Sequence, residues 1–160
     1  MSRLAPLALV TLLAASCGGP AAPLNTLVRI DDVVTGWFDA GVTDDGKNKI
    51  VPSIALKLTN TGGEPTGSVQ LNCNFRRVGD PAEWSTTLVR AVDTAGLAPG
   101  ATSQAVIVRA PQGYTGVQPR AQLLDNRLFI DAKVEVFGKH GSGAWVKLGD
   151  FKIDRQLLTR

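Results

Sequence analysis

The chain has one His, one Tyr, one Met and two Cys among 160 residues. One imidazole and two thiols fall short of the four Cys/His ligands of a structural zinc site. An excess of one charge is also missing. Seventeen Lys+Arg against 14 Asp+Glu leave a net +3, too little for a strongly basic nucleic-acid binder, whose affinity rests on many phosphate contacts. No apolar stretch reaches the roughly 20 residues that span a bilayer as a helix. Long polar tracts and a strict glycine period are absent too, which excludes a disordered or collagen-like chain. Gly-x-Ser-x-Gly does not occur, so the nucleophile elbow of a hydrolase is not encoded.

The first feature present is an address. Met1-Ser2-Arg3 supplies one positive charge, and the 13 residues Leu4 to Ser16 carry none. That is the form of a secretory signal peptide over residues 1–16. Ala14-Ala15-Ser16 runs into Cys17, followed by Gly18-Gly19-Pro20-Ala21-Ala22-Pro23. This segment resembles the lipobox of bacterial lipoproteins: small residues directly before a Cys. The resemblance implies that Cys17 is joined to a diacylglyceryl group, that the preceding segment is removed, and that the new amine is acylated, for example with palmitate. Two or more acyl chains hold firmly where one binds only marginally. Residues 17–25 would then be a flexible tether. The expected location is the cell envelope, on the periplasmic face of an outer membrane or on the cell surface. The alternative is an ordinary signal peptide with Cys17 left as a free thiol.

Beyond the tether, hydrophobicity alternates with a period of two. In Ser68–Arg77, Val69, Leu71, Cys73 and Phe75 share one phase, and Gln70, Asn72, Asn74 and Arg76 the other. Ile54, Leu56 and Leu58 alternate with Ala55, Lys57 and Thr59. Residues 127–137 read the same way, with Leu128, Ile130, Ala132, Val134 and Val136 in phase. Further strands are expected over 26–35, 84–92, 103–109 and 145–153. Gln118–Asn126 has room for one helical turn. Turn residues separate the strands: Asp44-Asp45-Gly46, Asn60-Thr61-Gly62-Gly63, Gly79-Asp80-Pro81, Ala98-Pro99-Gly100 and Lys139-His140-Gly141. The expectation is an all-β fold over residues 26–160, an antiparallel immunoglobulin-like β-sandwich of about seven strands. Leu56 to Gly62, Val69 to Asp80, and Leu97-Ala98-Pro99-Gly100 leading into Gln104–Val108 resemble the FxLYD-like domains of bacterial surface proteins. That resemblance implies the same sandwich.

The chemical candidates are few. Cys73, between Leu71 and Phe75, is expected as a small buried hydrophobe, with a reactive thiol as the alternative. His140 and Ser142 fall at a hairpin tip, and Gly141-Ser142-Gly143 lacks the following helix of a phosphate site. Asp39, Asp44, Asp45 and Asn48 offer oxygen ligands for calcium without EF-hand spacing and read as a solvated loop. Lys47, Lys49, Arg76 and Arg77 read as a solvated face. Trp37, Trp84 and Trp145 lie near expected loops. They either plug the ends of the core or form possible contacts for a ligand or partner. We assign no catalytic residue, metal or cofactor. The leading functional expectation is a lipid-anchored, non-enzymatic envelope protein that binds a protein partner or supports an assembly. The alternative is a glycan- or cell-wall-binding module using the three tryptophans. Nucleic acid is not an expected partner.

The anchor has a direct test. Cells fed radiolabelled palmitate should label this protein, and Cys17→Ser should abolish both the label and its partition into membranes. Unchanged labelling in Cys17→Ser would refute the lipobox reading.

Overall fold

The computed structural model describes residues 22–158. The signal segment, Cys17 and most of the expected tether lie outside the described residues. The elements in chain order are a 3-10 turn (Leu24–Thr26), β1 (Val28–Val42), β2 (Asn48–Asn60), β3 (Val69–Arg77), β4 (Ser85–Val92), β5 (Val106–Arg109), β6 (Tyr114–Gly116), the short helix α1 (Arg120–Leu124), β7 (Ala132–His140), β8 (Val146–Lys152) and β9 (Leu157–Leu158). One sheet has the order β5-β2-β1-β9, with β6 also paired to β2; the other has the order β4-β3-β7-β8. All pairings are antiparallel except β1 with β9, which is parallel over two residues. The fold is the expected β-sandwich, with two strands more than expected because β6 and β9 are too short to leave a periodic signal.

The inward phases are those of the sequence. Val69, Leu71, Cys73 and Phe75 of β3 are fully buried, as are Ala132, Val134 and Val136 of β7 and Ile54, Leu56 and Leu58 of β2. Each such large side chain contributes about 1.5–3 kcal/mol by leaving water. The β1–β2 and β3–β4 turns place Gly46 (φ +77°) and Gly79 (φ +85°) in the left-handed region, which a Cβ disfavours.

Three expectations need correction. The first strand runs to Val42 rather than Thr35, so Trp37 and Phe38 stand in mid-strand and not in a loop. Gly36, inside this strand, marks a close approach. A Cβ there would lie 2.7 Å from Leu158 Cγ and 2.9 Å from the Gln156 carbonyl oxygen. Second, the strand expected over 127–137 begins only at Ala132. A turn following α1 occupies residues 125–128, and the phase inverts: Phe129 is buried while Leu128 is 85% exposed. Third, the end of the expected tether is folded. Leu24 is buried in the core, and it fits because residue 138 is Gly. A Cβ at that position would lie 2.7 Å from Leu24 Cδ2.

Register defines the two ends of the sandwich. Val69 pairs with Val92 and His140, near the turn that holds Leu24; Phe75 pairs with Ser85 and Val134. Six residues of strand separate these ends by about 20 Å. The chain therefore enters at one end, and Trp84 and the β1–β2 hairpin mark the other.

Truncating the core should be far more damaging than truncating the outer surface. Phe75→Ala should cost about 3–5 kcal/mol in denaturant unfolding. Leu88→Ala, at a side chain 60% exposed, should stay within about 0.5 kcal/mol. Equal losses at the two sites would contradict this packing.

Candidate functional site

The three tryptophans do not form one surface. Trp37 is fully buried, so it is withdrawn from any accessible platform. Its ring lies 4.7 Å from Phe129, 5.5 Å from Tyr114 and 6.3 Å from Trp84, centroid to centroid. Its Nε1 has no hydrogen-bond partner among the described residues, because rings surround it. Trp84 is half-buried, packs on Tyr114 at 5.2 Å and lies under the Arg77 guanidinium at 5.9 Å. Trp145 is 41% exposed and stands at the opposite end, beside the β8 residue that pairs with Gly138. Lys139 Nζ lies 5.0 Å from its ring centroid. Two of the tryptophans plug one end of the core, and the third is a separate surface residue.

The remaining candidates are also dispersed. Asp39 pairs with Arg120 and Asp45 with Lys47, while the Asn48 amide donates to the Gln118 carbonyl at 2.8 Å. Among the described residues no group of three or more His, Cys, Asp or Glu could hold a metal ion. His140 closes β7, with Nδ1 3.2 Å from the Thr66 carbonyl and Nε2 2.7 Å from the Ala22 carbonyl. A neutral ring can donate to only one of these two acceptors. The contact to Ala22 ties the entering chain to this end. Cys73 is fully buried, as its phase requires; burial pushes the thiol up to about 12, which leaves almost no thiolate at neutral pH. Arg76, read as solvated, is in fact paired: its Nε donates to Glu135 at 2.9 Å, and Lys147 donates to the same carboxylate at 3.2 Å.

Two surfaces that sequence reasoning missed stand out. Exposed apolar side chains gather at the end away from the chain entry: Val42, Val78, Val117, Leu128 and Ile130. They are joined through that end by the Asn48–Gln118 contact, the Val78–Asp131 backbone hydrogen bond and the Tyr114 hydroxyl donating to the Ile130 carbonyl. All sit in turns or at strand termini, where alternation no longer reports the inward direction. The second surface is the outer face of the β5-β2-β1-β9 sheet. Val34, Ala55 and Ile107 form one row across three strands, and Gly36, Ser53 and Arg109 the next. The half of this face nearer the chain entry is charged instead, with Arg29–Asp31 and Lys57–Asp32 ion pairs.

No protein-family model matches this chain, and no curated protein matches it. Two solved structures to which it is similar are a solution structure from Arabidopsis thaliana and a crystal structure from Bordetella pertussis described as an ApaA protein. The first is 12% identical over 94% of this chain and 95% of that one, with a TM-score of 0.48. The second is 14% identical over 80% and 93%, with a TM-score of 0.41. The class that the two sheets define is the antiparallel β-sandwich.

The Glu135 cluster makes stability depend on pH. The Arg76 hydrogen bond, with Lys147 beside it, holds this carboxyl below its ordinary value of 4.5. Its contribution is therefore complete above that value and is lost as pH falls through the lower, folded-state value. Glu135→Gln should destabilise by about 1 kcal/mol at pH 7. The gap between the melting curves of the two proteins should be full at pH 7 and shrink as pH falls below 4.5, and a gap that does not change with pH would contradict the cluster's role.

Proposed function

We propose that this chain is a lipid-anchored, non-enzymatic envelope protein whose β-sandwich holds a protein partner or supports an assembly at a distance from the membrane. The observation that carries this reading is the placement of exposed apolar groups. The described chain enters at one end, pinned by buried Leu24 and the His140–Ala22 contact. Val42, Val78, Val117, Leu128 and Ile130 lie at the other. Solvent-facing apolar clusters mark interaction sites when they concentrate rather than scatter. A tether at one end and an apolar surface at the other suit a protein that projects from a membrane toward a partner. The sequence around Cys17 supports the anchor.

The reading as a glycan module that uses three tryptophans loses its geometric basis, since Trp37 is buried and Trp145 lies at the opposite end from Trp84. One half-exposed ring, Trp84, is left at the partner-facing end.

Position-specific photocrosslinking in the source cells tests the proposal. A photoreactive residue at Leu128 should trap one reproducible envelope protein; the same residue at Trp145 should not. With the photoreactive residue kept at 128, Val117→Glu, at a side chain 79% exposed, should abolish that adduct and leave the thermal melt unchanged. Absence of any adduct at 128, or the same adduct from both ends, would end this reading.

A further inference from the structure

The outer face of the β5-β2-β1-β9 sheet carries a groove of about 420 Å³. Val34, Phe38, Ala55, Ile107, Leu157 and Leu158 line it with apolar groups; Arg109 lines it too, with Ser53 and Gln156, which donate to the Val108 and Thr35 carbonyls at 3.2 and 2.7 Å. An outward sheet face is ordinarily polar, and the entry-side half of this one is. The departure from alternation is local, and the fold constructs it. Gly36 leaves room for Leu158 to lie over β1, which brings β9 to the groove edge. The row Val34–Ala55–Ile107 extends the apolar floor across three strands, about 10 Å at the usual strand spacing.

Arg109 supplies the second observation. Its guanidinium carbon lies over the Phe38 ring, 3.5 Å from the centroid. Stacking covers one face of the ion and leaves the N–H donors pointing outward from its edge. Among the described residues no carboxylate comes within ion-pair distance of it. An apolar trough with one cation in its lining is complementary to an apolar tail ending in one anionic, planar acceptor. A sugar would leave the trough walls unmatched, and a cationic amphiphile would meet Arg109 with like charge. The volume falls within the roughly 300–1,000 Å³ of small-molecule sites, whereas a stable protein contact needs about 800 Å² from each partner. We infer that this groove binds the alkyl chain of a fatty acid, with its carboxylate paired to Arg109. The site is distinct from the partner-facing end, so either can fail without the other.

Sodium dodecanoate and dodecyltrimethylammonium, each below its micellar concentration, and dodecanol, below its solubility limit, are the probes. They are titrated into the full chain and into its Cys17→Ser form, with heat and methyl NMR as readouts. Dodecanoate should bind at least about tenfold more tightly than the other two, as expected for a charge-assisted pair. It should shift the methyls of Val34, Ile107 and Leu158. Arg109→Gln should bring dodecanoate down to the affinity of dodecanol without changing dodecanol itself. Ile107→Glu, at an exposed position, should remove both while the melting temperature holds. Equal affinity for the three probes, shifts confined to other methyls, no binding, or an Arg109→Gln protein that binds dodecanoate undiminished would each overturn the inference.

Discussion

Burial of the inward rows of β2, β3 and β7 is the constraint that the rest of the molecule obeys. β3 pairs with β7 through nine successive residues and with β4 on its other side. With both edges of β3 bonded, Val69, Leu71, Cys73 and Phe75 project into the space between the sheets, against Ile54, Leu56 and Leu58. A slip of one residue in this register would turn every one of these side chains to water and bring Asn72, Asn74 and Arg76 inside. That penalty fixes the register, and the register fixes which residues come to each end. His140 and Gly138 come to the entry end because they are the last residues of a strand that starts at buried Ala132. Trp84 comes to the far end because it precedes the residue paired with Phe75.

The ends of a sandwich are closed by side chains that the sheets do not supply. At the entry end, Leu24 from the 3-10 turn fills the gap over Gly138. At the far end Trp37, Trp84, Tyr114 and Phe129 pack together. The two closures differ in kind. The first is made by the segment leading back toward the proposed lipid anchor and holds it in place. The second leaves a rim of exposed aliphatic residues where the β1–β2 hairpin, the β3–β4 turn and the segment around α1 meet. A domain that is tied down through one end and apolar at the other has a direction, which is what the proposed envelope role requires.

Conformational freedom at particular glycines shapes the surfaces as much as hydrophobicity does. Gly36 lets the C-terminal strand cross close to β1, and that crossing forms one wall of the groove beside Arg109. Gly138 admits Leu24. In the sequence neither stands out, and the first expected strand stops at Thr35, one residue before Gly36. Glycine signals a turn through its tolerance of positive φ, but it also permits close approach through its missing Cβ, and a linear pattern does not distinguish the two.

What the chain determined by itself is the local, periodic part. The phases of β2, β3 and β7, the turn positions, the buried state of Cys73 and the all-β class follow from alternation and turn chemistry, which act between neighbours. Residues 127–131 show where this stops. Leu128 and Ile130 fit the alternation of β7, yet the turn after α1 inverts the phase, so Phe129 is inside and Leu128 outside. Tertiary structure alone decided that Trp37 is core, that Trp145 lies apart from Trp84, that Arg76 shares Glu135 with Lys147, and that Arg109 stacks on Phe38. Each of these depends on strand register and on the approach of residues far apart in the chain. Such contacts are set by total burial of the core, and no window of neighbouring residues contains that information.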